Sequence, residues 1–108
     1  MNEKTYETLT DFLLQHLQQR PGMYLKEPRL STLSTFLMGY SVGRYVSQYP
    51  YEDDFFGHNG FIQWLGHYKD NPEVDFWEAI LMEEAQHDEY RALELFFEYL
   101  EKFRSEQC

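Results

Sequence analysis

Ala92-Leu93-Glu94-Leu95-Phe96-Phe97-Glu98-Tyr99-Leu100-Glu101-Lys102-Phe103 decides the fold class. Ala92, Leu93, Phe96, Phe97, Leu100 and Phe103 recur at offsets of 0, 1, 4, 5, 8 and 11, the period of one face of an α-helix. Glu94, Glu98 and Glu101 fall on the outer face. Asp88 stands where its carboxylate can cap the first turn, and the helix is expected to run to Arg104.

Upstream segments carry the same period. Trp77, Ile80, Leu81 and Ala85 form the stripe of a helix from Phe76 to about Ala85, with Asp75 as its cap; Gln86-His87-Asp88 is either a short break or a stretch through which the helix continues. Phe61, Ile62, Leu65 and Tyr68 mark a helix of about ten residues, with Trp64 beside the stripe. Asn59 or Gly60 caps it, and Asp70-Asn71-Pro72 ends it. Leu33, Phe36, Leu37, Tyr40 and Arg44 line one side of a helix from Leu30 to about Gln48, with Ser31 and Thr32 as capping candidates. Gly39 and Gly43 share a face of that helix, which suggests close packing against another helix or a ring. Tyr6, Leu9, Leu13 and Leu17 define the first helix, from about Tyr6 to Gln19.

Arg20-Pro21-Gly22-Met23-Tyr24-Leu25 separates the first two long helices. Pro21 ends the first, because proline has no N–H and restricts the residue before it. Gly22 is expected to supply a turn conformation closed to other residues, and Met23, Tyr24 and Leu25 to fold back onto the core. No stretch reads as a strand, and β-branched residues are scarce. The expectation is an all-α, single-domain bundle of about five helices over residues 1–108, with Tyr24, Trp64, Trp77 and Phe97 in or near the core.

The net charge is −10 and is unevenly placed. Residues 1–50 carry four acids and five bases, residues 51–72 four acids and one base, and residues 73–108 eleven acids and three bases. Nucleic acid and anionic membrane are disfavoured as partners of such a surface, whereas a basic protein is attracted. The single cysteine, Cys108, makes no internal disulfide. The N-terminal residues lack the pattern of a secretory signal, and no apolar run approaches the ~18 residues of a membrane span. A soluble, cytoplasmic protein is expected.

No residue set presents a catalytic arrangement. Glu84-Ala85-Gln86-His87 has the Glu-x-x-His spacing of carboxylate-bridged metal bundles, but those use two copies and this chain has one. No closely spaced Cys/His set suits zinc, and no glycine loop suits phosphate. No cofactor or metal is therefore expected, and the chain is read as a non-enzyme; a helical carboxylate or metal-dependent enzyme around Glu84 and His87, or a general acidic adaptor, are the alternatives. The expected partner-binding residues are Tyr51, Glu52, Asp53 and Asp54 in an acidic aromatic loop, and Glu83, Glu84, Asp88 and Glu89 near the start of the last helix. The competing reading of the loop is structural, with Phe55 and Phe56 plugged into the core. Glu94 and Glu98, four apart, repel one another, and only Glu98 and Lys102 make a favourable pair at that spacing.

The Arg20–Tyr24 string also occurs in the ATPase subunit of DNA gyrase, but the acidic, Asn-containing helix and the glycine-rich lid motifs of that family are missing. The order of segments resembles small bacterial immunity proteins of contact-dependent inhibition and related polymorphic-toxin systems. It runs from a helix ending in Arg20-Pro21-Gly22-Met23-Tyr24, through a Leu33-to-Tyr40 helix, a Phe61-Trp64-Leu65 helix and a Trp77 helix, to the Ala92–Phe103 helix. The resemblance implies a protein that binds and neutralises one cognate toxin domain, in many cases a nuclease with a basic active site. It implies no particular contact residues.

Overall fold

The computed structural model describes residues 8–48, 53–71 and 76–106. Among these residues every regular element is helical. The first helix, α1, is α-helical over Leu9–Phe12 and continues as π-helix over Leu13–Leu17. A single helical turn, α2, spans Pro21–Tyr24. Then come α3 at Leu30–Ser47, α4 at Phe61–Tyr68, α5 at Trp77–Glu84 and α6 at Glu89–Glu106. The all-α class and the positions of these helices agree with the apolar periodicity.

The π-helical stretch has a physical reason in the spacing of its leucines. Residues four apart drift by about 40° per step around an α-helix. The wider turn, closed by the Gln18 N–H donating to Leu13 C=O at 2.8 Å, takes up that drift. Leu13 and Leu17 are then both fully buried.

The α6 helix is the spine. It packs against α1, α3, α4 and α5, and Ala92, Leu93, Leu95, Phe96, Phe97, Leu100 and Phe103 are all buried along it. Phe55, from an irregular turn, enters the centre of the core with no solvent exposure. Its ring lies 5.3 Å from Phe61, 5.6 Å from Trp77 and 5.9 Å from Phe96. Such pairs stabilise by more than their buried area alone. Tyr24, Trp64, Trp77 and Phe97 all belong to the core or its margin, as expected.

Several local expectations need correction. Leu25 is buried and Tyr24 packs on Phe12 at 5.2 Å, but Met23 points outward. Gly22 sits in the α2 turn and has no positive φ. The left-handed positions are instead Gln48, Asn59, Asp70, Gln86 and His87. The helix stop at Pro21 is also a start, with proline at the first turn of α2. Gly39 and Gly43 have nothing within 4 Å of where a Cβ would lie, so neither marks a close approach among the described residues. Phe55 plugs the core, but Phe56 beside it stays exposed.

Candidate protein-binding groove

The acids singled out in the sequence fall into several environments. Tyr51 and Glu52 lie outside the described residues, as does Asp75. Asp54 faces inward: it accepts from the backbone N–H of the buried Thr10 at 3.1 Å and from the Thr10 hydroxyl. Asp53 accepts from the Phe55 and Phe56 N–H groups and lies 3.7 Å from Arg44. Asp54 holds the Phe55 turn against α1 and Asp53 faces α3, so both have internal work whatever else they do.

Glu84 belongs to a three-membered cluster. Lys69 Nζ donates to its Oε1 at 2.8 Å and Tyr99 Oη donates to the same oxygen at 2.6 Å. The Lys69 hydrogen bond, then that of Tyr99, holds the Glu84 carboxyl below the usual carboxylate range, against the opposing effect of burial. The same contact to Glu84 raises Lys69. Burial, then the Glu84 contact, raises Tyr99. His87 is exposed. It occupies a left-handed backbone position in the α5–α6 turn. Among the described residues no three His, Cys, Asp or Glu side chains gather as metal ligands would.

Asp88 caps α6, its Oδ1 accepting from Tyr90 N–H at 3.0 Å and Arg91 N–H at 3.2 Å. Glu89 reaches across to α3, where its Oε1 accepts from Ser31 N–H at 3.1 Å. A carboxylate there also suits the positive end of the α3 dipole. Glu83 is exposed. Asp53 and Asp54 are thus bonded within the fold, and Glu83, Glu84, Asp88 and Glu89 lie around the α5–α6 turn.

A different acidic feature emerges one turn further along. Gln18, Pro21 and Pro28 face α6 across an open groove of about 440 Å³. Tyr90, Leu93 and Phe97 give the α6 side of it an apolar character, and Glu94, Glu98 and Glu101 add three carboxylates. Their alignment follows from the helix period, since residues three and four apart share a face. Arg91 Nη1 bridges Glu94 at 3.0 Å and Glu98 at 3.1 Å, which relieves part of their repulsion. That corrects the expectation of a lone Glu98–Lys102 pair: Lys102 instead lies 3.9 Å from Glu106 and over the Tyr68 ring.

Glu94 and Glu98 were legible as a self-repelling pair, and their period predicted the face. The opposite wall was not legible. Only the fold brings Gln18, Pro21 and Pro28 against α6, and no local signal near Pro21 announces a groove. The Arg20–Leu25 joint thus serves both as a helix break and, through Pro21, as one side of a surface cleft. No described helix is long and apolar enough to cross a membrane. Comparison with protein-family models, with curated proteins and with solved structures gives no match.

Proposed function

We propose that this chain is an inhibitory binding protein of the immunity class, which neutralises a cognate toxin domain by occupying a basic surface of that domain. The observation that carries the proposal is the groove beside α6, where three glutamates stand next to the apolar Leu93, Phe97 and Tyr90. Apolar surface flanked by charge is the composition of a protein-recognition patch, with anchors at the centre and a polar rim. A partner side chain from a basic toxin can lay its apolar stem along the exposed Tyr90 ring and bring its cationic head to Glu94 or Glu98.

The charge distribution supports the same reading. Eleven acids against three bases in residues 73–108 give this half a strong negative field. Such a field steers a basic partner into contact and raises the association rate. Inhibition then needs no chemistry from this chain: a 1:1 complex buries the residues with which the toxin, a nuclease in the simplest case, holds its anionic substrate. The chain works in the cytoplasm in this reading, where it protects the producing cell.

Co-expression with the product of the adjacent gene tests this. The expected result is a stoichiometric complex that survives purification, together with restored growth of cells expressing the toxin. Failure of the two products to associate, with growth not rescued, rejects the immunity reading.

A further inference from the structure

The solvent side of α3 differs from the rest of the molecule. In a chain of net charge −10, the eighteen residues Leu30–Ser47 contain one charged side chain, Arg44, and it is turned toward Asp53 at 3.7 Å. A surface helix ordinarily carries charged residues on its outer face. Here Met38, Val42, Tyr45 and Val46 are 65%, 56%, 85% and 73% exposed. Met38, Val42 and Val46 follow one another at four-residue steps and so form a single ridge. Four of the exposed large apolar side chains thus gather on one half of one helix, where scattered single ones would need no explanation.

We propose that this face of α3 is a self-association surface, on which a second copy of the chain packs α3 against α3 across Met38, Val42 and Val46. The charge pattern selects the occupant. Two copies of so acidic a chain repel one another on most approaches, and an approach through α3 brings an acid-free ridge to an acid-free ridge. The repelling carboxylates are then kept apart, where salt screens them over about 8 Å. A basic partner, by contrast, gains no ion pair on this face, so the surface is distinct from the glutamate groove. The ridge is also self-complementary. With the helices antiparallel about a two-fold axis near Val42, Met38 of one copy meets Val46 of the other, and the reverse contact follows by symmetry. Next to the ridge, Gly39 and Gly43 project no side chain and have open space above them. A crossing helix can therefore come near the short end of the usual range of about 8–10 Å. The contact rests on one helix per copy, so the dimer is a weak, reversible one.

Sedimentation velocity of the full chain, from low micromolar to ~1 mM, tests the proposal at low and high salt. The expected result is a mass that climbs from monomer to dimer with concentration. Added salt should move the midpoint several-fold lower, because it screens repulsion without weakening apolar contact. Val42→Asp is expected to remain monomeric across the range with unchanged circular dichroism. Should that variant fail to fold, Val46→Asp gives the same reading. Glu98→Lys, in the groove, is expected to leave the dimer in place. A wild-type chain that is monomeric at the highest concentration overturns the proposal. So does a dimer that salt dissociates, or one that both aspartate variants retain. If Val42→Asp weakens capture of the adjacent gene product while the wild type stays monomeric, the face belongs to that partner and self-association is wrong.

Discussion

Gln18 Nε2 donates to Glu101 Oε2 at 3.0 Å, across 83 positions of sequence, and ties the end of the first helix to the last turns of α6. The contact spans the groove beside α6 and holds one of its glutamates in place. It is an exposed neutral-to-charged hydrogen bond, so its value lies in positioning. Gln18→Ala is expected to change stability by less than about 0.5 kcal/mol in urea titrations. It is also expected to weaken partner binding several-fold, mainly through faster dissociation.

Asp54 is a stability residue despite its place in an acidic loop. The backbone N–H and hydroxyl of Thr10 both donate to it, and Thr10 has no solvent exposure. Asp54→Ala leaves the Thr10 backbone N–H without its acceptor, at about 1–3 kcal/mol before relaxation, while the Thr10 hydroxyl keeps Thr8 Oγ1 at 3.2 Å. A loss of about 1–3 kcal/mol by denaturant unfolding is expected. Retention of full stability would show that Thr10 finds another acceptor.

Gly60 caps α4 at the point where the chain turns back on itself. An added Cβ would lie 2.9 Å from the carbonyl oxygens of both Phe55 and Gly57, which are backbone atoms that cannot swing aside. Gly60→Ala is therefore expected to destabilise by about 1–3 kcal/mol. The effect is steric, since glycine here has φ −84°. The measurement is the unfolding midpoint, with Gly43→Ala as a contrast. That helical site is open, and alanine there is expected to stabilise slightly.

Gln86 and His87 are consecutive residues at φ 56° and 67°, in the turn between α5 and α6. Left-handed backbone costs a non-glycine residue roughly 1–2 kcal/mol. Gln86→Gly is expected to recover about 1 kcal/mol of stability, read as a rise in the thermal midpoint. A fall would mean that the Gln86 side chain makes a contact worth more than the strain.

The Lys69–Glu84–Tyr99 cluster gives stability a pH dependence with two edges. Glu84 titrates lower in the fold than in the unfolded chain, so its contribution is present above about pH 4.3 and is lost as pH falls through the folded value. Lys69 and Tyr99 titrate higher in the fold. Their contribution is present below about pH 10 and is lost as pH rises further. With about a third of the Lys69 and Glu84 side chains in solvent, the stabilisation is at most about 1 kcal/mol. Thermal midpoints of wild type and Glu84→Gln are expected to differ most between about pH 5 and 9, and to converge at both extremes. A gap that persists unchanged out to both pH extremes would remove the electrostatic explanation.

How much of this was legible follows from the range of each interaction. The α6 stripe is legible because burial on a helix is periodic, and its members are buried. Leu95 escaped, although it is buried, because it lies off that stripe. The glycines misled, because flexibility permits a left-handed turn without requiring one. Among the described residues such turns fall instead at Asn59, Asp70 and His87, types that tolerate them, and at Gln48 and Gln86, which carry no sequence signal for them. Asp53 and Asp54 read as surface charge because their partners Arg44 and Thr10 are brought to them only by the fold. The groove was half legible for the same reason: one wall is periodic, and the other comes from a joint more than sixty positions away.

The central claim is that the glutamates beside α6 bind a basic face of a partner. Titration calorimetry of the chain with the adjacent gene product, at low and high salt, tests it most directly with the Glu94→Lys, Glu98→Lys double variant. The account expects wild-type affinity to fall with salt. It expects the folded variant to lose roughly 30-fold or more at low salt and to show a flatter salt dependence. Equal affinity of the two proteins at both salt concentrations would contradict it.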